Sequence, residues 1–146
     1  NSPDAITSNS GWETIKHASF LKDVVAVFRE AGIRTSLFID PDIRKIEAAK
    51  DTGCDRLELY TEPYATGYPS DPEKAIAPFT RAAVAARNLG LDLNAGHDLN
   101  LENLKYFSEC IPWLKEVSIG HALISDALYY GLQNTIGMYK RLLVRD

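Results

Sequence analysis

Four short apolar runs recur along this chain, at residues 35–40, 56–61, 91–97 and 116–121, and each ends in a polar or charged group. Each follows a helix-like stretch closed by glycine or a proline-containing break. Between the runs, apolar residues recur at spacings of three and four, so helix and strand alternate as α-β-α-β-α-β-α-β-α at separations that short right-handed crossovers require. The sheet must then be mainly parallel. Four such strands make either half of a (β/α)8 barrel or a small open doubly wound sheet, and both fold types place their chemistry at the C-terminal strand ends. Two of the four runs finish in Gly-His.

The helical patterns are individually legible. Residues 17–31 carry Phe20, Leu21, Val24, Val25 and Phe28 on one face, ended by Gly32. Asp40-Pro41-Asp42 caps a second helix with Ile43, Ile46 and Ala49, closed by Gly53. Residues 62–72 read as a long loop, with Pro63, Gly67, Pro69 and Pro72 in it. A third helix over 71–88 takes Ser70 or Asp71 as cap and Gly90 as stop, with alanines for close packing and Ile76, Phe79 and Val84 as larger core contacts. Asn100 caps a fourth helix carrying Leu101, Leu104 and Phe107, a short helix follows from His121, and a final one spans 131–143.

Composition narrows the function. A formal charge of −4 argues against general nucleic-acid binding, which needs a clustered positive surface. Cys54 and Cys110 lack CxxC spacing, and His17, His97 and His121 lack metal-ligand spacing, so neither a disulfide framework nor a metal site is expected. No apolar run approaches membrane-span length and no signal-peptide pattern opens the chain, which points to a cytoplasmic protein. There is no GxGxxG or P-loop. The opening Asn1-Ser2-Pro3-Asp4-Ala5 is turn-rich and reads as the middle of a loop, as in a fragment.

The candidate chemistry sits at the strand ends. Glu58 lies between Leu57 and Leu59, so its carboxylate faces away from both; in a barrel that direction is inward, where a carboxylate is costly unless paired or functional. A structural ion pair is the alternative. His97 follows the small residues Ala95 and Gly96 where strand becomes loop, and an imidazole there suits proton transfer, or simply a structural hydrogen bond. Gly120-His121 precedes a helix start, whose free N–H groups can hold a phosphate; a plain turn glycine reads equally well. Ser118 and Ser125 have no nucleophile-elbow context.

These strings carry a resemblance. Ser36-Leu37-Phe38-Ile39-Asp40, Leu57-Glu58-Leu59-Tyr60-Thr61, Leu89-Gly90-Leu91-Asp92-Leu93-Asn94-Ala95-Gly96-His97 and Ile119-Gly120-His121-Ala122-Leu123-Ile124, in this order and spacing, resemble the pyridoxine 5′-phosphate synthases of vitamin B6 biosynthesis. The resemblance runs from about Ala31 to Leu143. It implies a TIM (β/α)8 barrel of which residues 1–146 are the C-terminal half, strands five to eight, with residues 1–12 as the loop after an absent fourth strand. It further implies a cytoplasmic, homo-oligomeric, transferase-type synthase without a cofactor. This condenses 1-deoxy-D-xylulose 5-phosphate with 3-amino-2-oxopropyl phosphate and releases phosphate and water.

Carried over by position, His97 is the proton donor, Glu58 the transition-state stabiliser, and Gly120 and His121 the phosphate-binding pair. Asp98 stands where the family often has glycine at the amino-ketone phosphate site, so its negative charge must turn away from that anion. The family's remaining acid/base and arginine residues lie in its first half, and this chain alone is expected to be inactive. A different barrel enzyme acting on sugar phosphates, or a non-catalytic half-barrel that binds a phosphorylated metabolite, are the alternatives. Asp40 receives no task.

Overall fold

The computed structural model describes residues 8–144, so most of the expected opening loop, residues 1–7, lies outside the described residues. Its elements run α1 (Ala18–Glu30), β1 (Ser36–Ile39), α2 (Ile43–Thr52), β2 (Arg56–Tyr60), α3 (Glu62–Gly67), α4 (Pro72–Asn88), β3 (Asp92–Gly96), α5 (Leu104–Cys110), β4 (Glu116–Ser118), α6 (His121–Tyr130) and α7 (Leu132–Leu142). All three strand pairings are parallel, in the order β1-β2-β3-β4. A doubly wound sheet reverses its order at a switch point. This sheet does not, and each helix packs beside the next: α1 on α2, α2 on α4, α4 on α5 and α5 on α7.

The sheet is therefore two-sided. Leu37, Ile39, Leu57, Leu59, Leu93 and Ala95 are buried and alternate along the strands. Their neighbours in register, Phe38, Glu58 and Asn94, form one row across the opposite face, and Tyr60, Gly96 and Ser118 form the next. Alternation thus separates a helix-covered apolar face from a polar and aromatic one.

Helix ends follow local chemistry. Asp42 accepts from Arg44 N at 2.9 Å, and Asp71 accepts from Lys74 N at 3.0 Å ahead of Pro72. α1 and α4 stop on Gly32 and Gly90, both in the left-handed region (φ 71 and 69), and Ile33 N and Leu91 N reach back to Phe28 O and Ala86 O. That wrap-around bond turns the chain straight into the next strand.

Residues 62–67, expected to be loop, form α3 instead. Pro63 presets a helical φ in the first turn, Thr66 Oγ1 donates to Glu62 Oε1 at 2.8 Å, and Tyr64 is fully buried against Phe79 and Phe107, with ring centroids 5.9 and 4.9 Å away. Burial of one aromatic side chain overrode the breaker signals. The fourth inter-strand helix begins at Leu104, not beside Asn100. Asn100 Oδ1 instead accepts from Glu102 N and Asn103 N, closing a separate turn.

Four residues expected on apolar helix faces are exposed: Val84 at 47%, Ile43 at 41%, and Phe20 and Phe28 on α1 at 56% and 42%, that helix burying Leu21 and Val25. α6 buries none of its side chains. Met138, Leu142 and Leu143 lie on or beside α7, and the two leucines pack on the core. Among the described residues no helix is long and apolar enough to cross a membrane.

This layout separates two substitutions. Phe107→Ala is expected to cost about 3–5 kcal/mol and Val84→Ala less than about 0.5 kcal/mol, read from urea midpoints. Equal losses would contradict the assignment of Val84 to the surface.

Candidate active site

Asp40 is occupied structurally. Its carboxylate accepts from Gly11 N at 2.9 Å and from Lys45 Nζ at 2.6 Å, and the same ammonium also pairs with Glu13. Trp12 N donates to Phe38 O at 2.8 Å, so this group ties the segment ahead of α1 to the end of β1. A side chain at Gly11 would collide with the backbone of Ile39 and Asp40. Asp40 thus anchors the entering chain.

One strand further on stands Glu58, the first of the expected site residues. Glu58 points to the polar face beside Gly96, and a Cβ on residue 96 would collide with Glu58 Oε1 and stand 3.1 Å from Ser118 Cβ. Only a glycine leaves room for that carboxylate. Among the described residues no donor hydrogen-bonds it; burial pushes its pKa above the ordinary value, and the nearby His97 imidazole pulls it partly back.

His97 stands one residue past β3. Its ring lies 5.7 Å from Phe38 and 5.4 Å from Tyr60, whose rings are themselves 5.3 Å apart, so two aromatic side chains wall the imidazole. His97 and Asp98 both hold positive φ, 80 and 55. Such backbone costs of order 1–3 kcal/mol per non-glycine residue and persists only where its surroundings over-determine it. The Asp98 carboxylate turns toward the ring, with Oδ2 3.6 Å from Nδ1.

Gly120 is the N-cap of α6 and His121 its first residue, with Ile124 N bonded to Gly120 O at 3.1 Å. The amides at that helix start have no intrahelical acceptor and carry the positive end of the helix dipole. The fold brings every expected site residue together. Glu58, His97, Asp98, Gly120 and His121 line one open cleft of about 520 Å³, with Leu99, Ser118, Ile119 and Ala122. Among the described residues no cluster of side chains could hold a metal ion.

Sequence reasoning missed Phe38 and Tyr60, although alternation alone puts them on Glu58's face. It also missed Thr61 and Asn103. Nothing in their local pattern marks them: the Thr61 hydroxyl meets a carbonyl 35 residues away, and Asn103 meets one in the irregular turn after β3.

Comparison with known proteins gives this arrangement a family. The chain matches the family described as pyridoxal phosphate biosynthesis protein PdxJ over residues 1–145. It belongs to that family. Among curated relatives, it is 62% identical over 143 residues to pyridoxine 5′-phosphate synthase of Parabacteroides distasonis, covering 98% of this chain and 60% of the relative. It is 63% identical over 141 residues to the synthase of Bacteroides fragilis, covering 97% and 60%, and 54% identical over 140 residues to that of Porphyromonas gingivalis, covering 96% and 59%. The chain therefore spans about 60% of the length of these family members.

Glu58 makes a linked prediction. Its folded pKa lies above the ordinary 4.5, so below that pH folded and unfolded chains are both protonated and the group has no effect; as pH rises, the unfolded state ionises first and stability is lost until the folded carboxyl also ionises. Glu58→Gln should melt with the wild type at about pH 4 and above it at neutral pH. A melting difference that is the same at both pH values would contradict a desolvated carboxyl.

Proposed function

We propose that these residues form the C-terminal half of a (β/α)8 barrel that makes pyridoxine 5′-phosphate from 1-deoxy-D-xylulose 5-phosphate and 3-amino-2-oxopropyl phosphate, with release of phosphate and water. The observation that carries this reading is the convergence of a desolvated glutamate, a walled histidine and an open helix N-terminus in one cleft, within a chain of the PdxJ family. The curated relatives bear the name of that synthase. Sequential strand order and helices packed side by side suit a barrel.

The rest of the barrel has a place to dock. Among the described residues β4 has one edge without a partner and the outer edge of β1 is met where Trp12 N donates to Phe38 O, and apolar residues are exposed on both flanking helices, Phe20 and Val27 on α1 and Ile124 and Leu128 on α6. Edges and apolar faces of this kind are ordinarily covered. The missing 40% or so of the relatives' length supplies that cover in our reading, and with it the further acid, base and arginine groups. The 146 residues alone are then inactive.

Ring closure needs several proton transfers, so more than one acid or base must act. His97 serves as a proton donor in its doubly protonated form, giving up a ring proton to substrate in the cleft it lines, and the Asp98 carboxylate, 3.6 Å from Nδ1, faces the positive charge of that form. Glu58 stabilises positive charge developing on the nitrogen-bearing intermediate, an effect that grows in a poorly solvated site. The amides of Gly120, His121 and Ala122 take a substrate phosphate without a basic side chain. The Asp98 amide can still meet the amino-ketone phosphate while its carboxylate faces the imidazole. No cofactor has a step to perform, and the enzyme is read as a cytoplasmic homo-oligomer.

His97→Asn tests the assignment in a polypeptide of the relatives' full length that ends in this chain. We expect kcat to fall about 100-fold or more with KM within about threefold, followed by product formation in a coupled phosphate assay. Unchanged turnover would remove His97 from the chemistry, and a wild-type polypeptide that forms no pyridoxine 5′-phosphate would remove the synthase reading.

A further inference from the structure

The left-handed pair His97–Asp98 is held by side chains that the proposed chemistry does not use. Three consecutive carbonyls at the end of β3 each meet a buried donor. Gly96 O accepts from Thr61 Oγ1 at 2.8 Å, His97 O lies against the same hydroxyl, and Asp98 O accepts from Asn103 Nδ2 at 3.3 Å. Thr61 is fully buried and Asn103 is 2% exposed. Asn103 is itself fixed, because its carbonyl accepts from Tyr64 Oη at 2.7 Å and its side-chain oxygen from Asn100 N at 2.9 Å.

Thr61 differs from an ordinary strand-end residue in one respect. Its backbone N–H already donates to Gly96 O at 3.0 Å, so pairing of β2 with β3 does not need the hydroxyl. The hydroxyl has one proton, shared between the carbonyls of Gly96 and His97, and so it acts on the peptide where the chain turns left-handed. It also sits three residues after Glu58, directly beyond β2. A single buried group thereby links the strand that carries the carboxylate to the backbone that carries the imidazole.

We infer that Thr61 is a positioning residue for the synthase reaction: its hydroxyl sets the place of the His97 ring relative to Glu58 by holding the left-handed turn. The catalytic part of this inference rests on the function proposed above. Reactions tolerate little error in such placement, and a displacement of about 1 Å can cost about 100-fold in rate.

The test compares Thr61→Val, which keeps the shape and removes the donor, with Thr61→Ser, which keeps the donor, in the full-length polypeptide. Turnover in Thr61→Val should fall about 10- to 100-fold with KM within about threefold, while Thr61→Ser stays within about threefold of wild type. In spectra of histidine-labelled protein, the His97 ring and amide signals should move or broaden in Thr61→Val and match wild type in Thr61→Ser. Wild-type kcat in Thr61→Val, or equal losses in both variants, would overturn the inference while leaving the synthase reading intact. If the wild type itself forms no product, that reading falls, and the spectra decide alone: His97 signals identical in all three proteins overturn the positioning role.

Discussion

Everything in this molecule depends on the separation of the two faces of its parallel sheet. Leu57 and Leu59 go to the helices because burying them removes apolar surface from water, and a strand that sends those two one way must send Glu58 the other. Parallel pairing then lines up Phe38, Glu58 and Asn94 in one row and Tyr60, Gly96 and Ser118 in the next. Since every strand runs in the same direction, every loop that follows one opens at the same end. The cleft is a consequence of hydrophobic burial on the other side.

The local features of the site follow from crowding at that end. Glu58 fits because residue 96 has no side chain, and its proton is held more tightly because burial disfavours the anion. The His97 turn is costly for a non-glycine pair, and the carbonyls it exposes are met by Thr61 and Asn103 rather than left unpaired in the interior. Asp40, at the end of the neighbouring strand, belongs to a different device. There a carboxylate, a lysine and a backbone amide hold the chain where it enters the sheet.

Much of this was readable from residue order. Glycines 32, 53 and 90 stop helices where their spacing says, and the strand runs, Glu58 on the face opposite its leucine neighbours and the Gly-His at helix α6 all lie where periodicity puts them. The failures have physical causes. Proline and glycine in residues 62–67 signal a loop, yet Tyr64 buried against two phenylalanines makes that stretch helical. Val84 and Phe20 are apolar and in phase, but a helix in contact on one side buries only a narrow stripe. Thr61 and Asn103 could not be recognised because their roles arise from carbonyls 35 and 5 residues away in sequence.

We propose that the ends of β2, β3 and β4 make one anion-binding catalytic site. Titration with pyridoxine 5′-phosphate, followed by backbone and imidazole NMR signals of the full-length polypeptide, tests it most directly. The Gly120, His121 and Ala122 amides and the His97 ring are expected to shift together along one saturating curve. Saturable shifts elsewhere with these groups unmoved, or separate curves for His97 and Gly120, would contradict it.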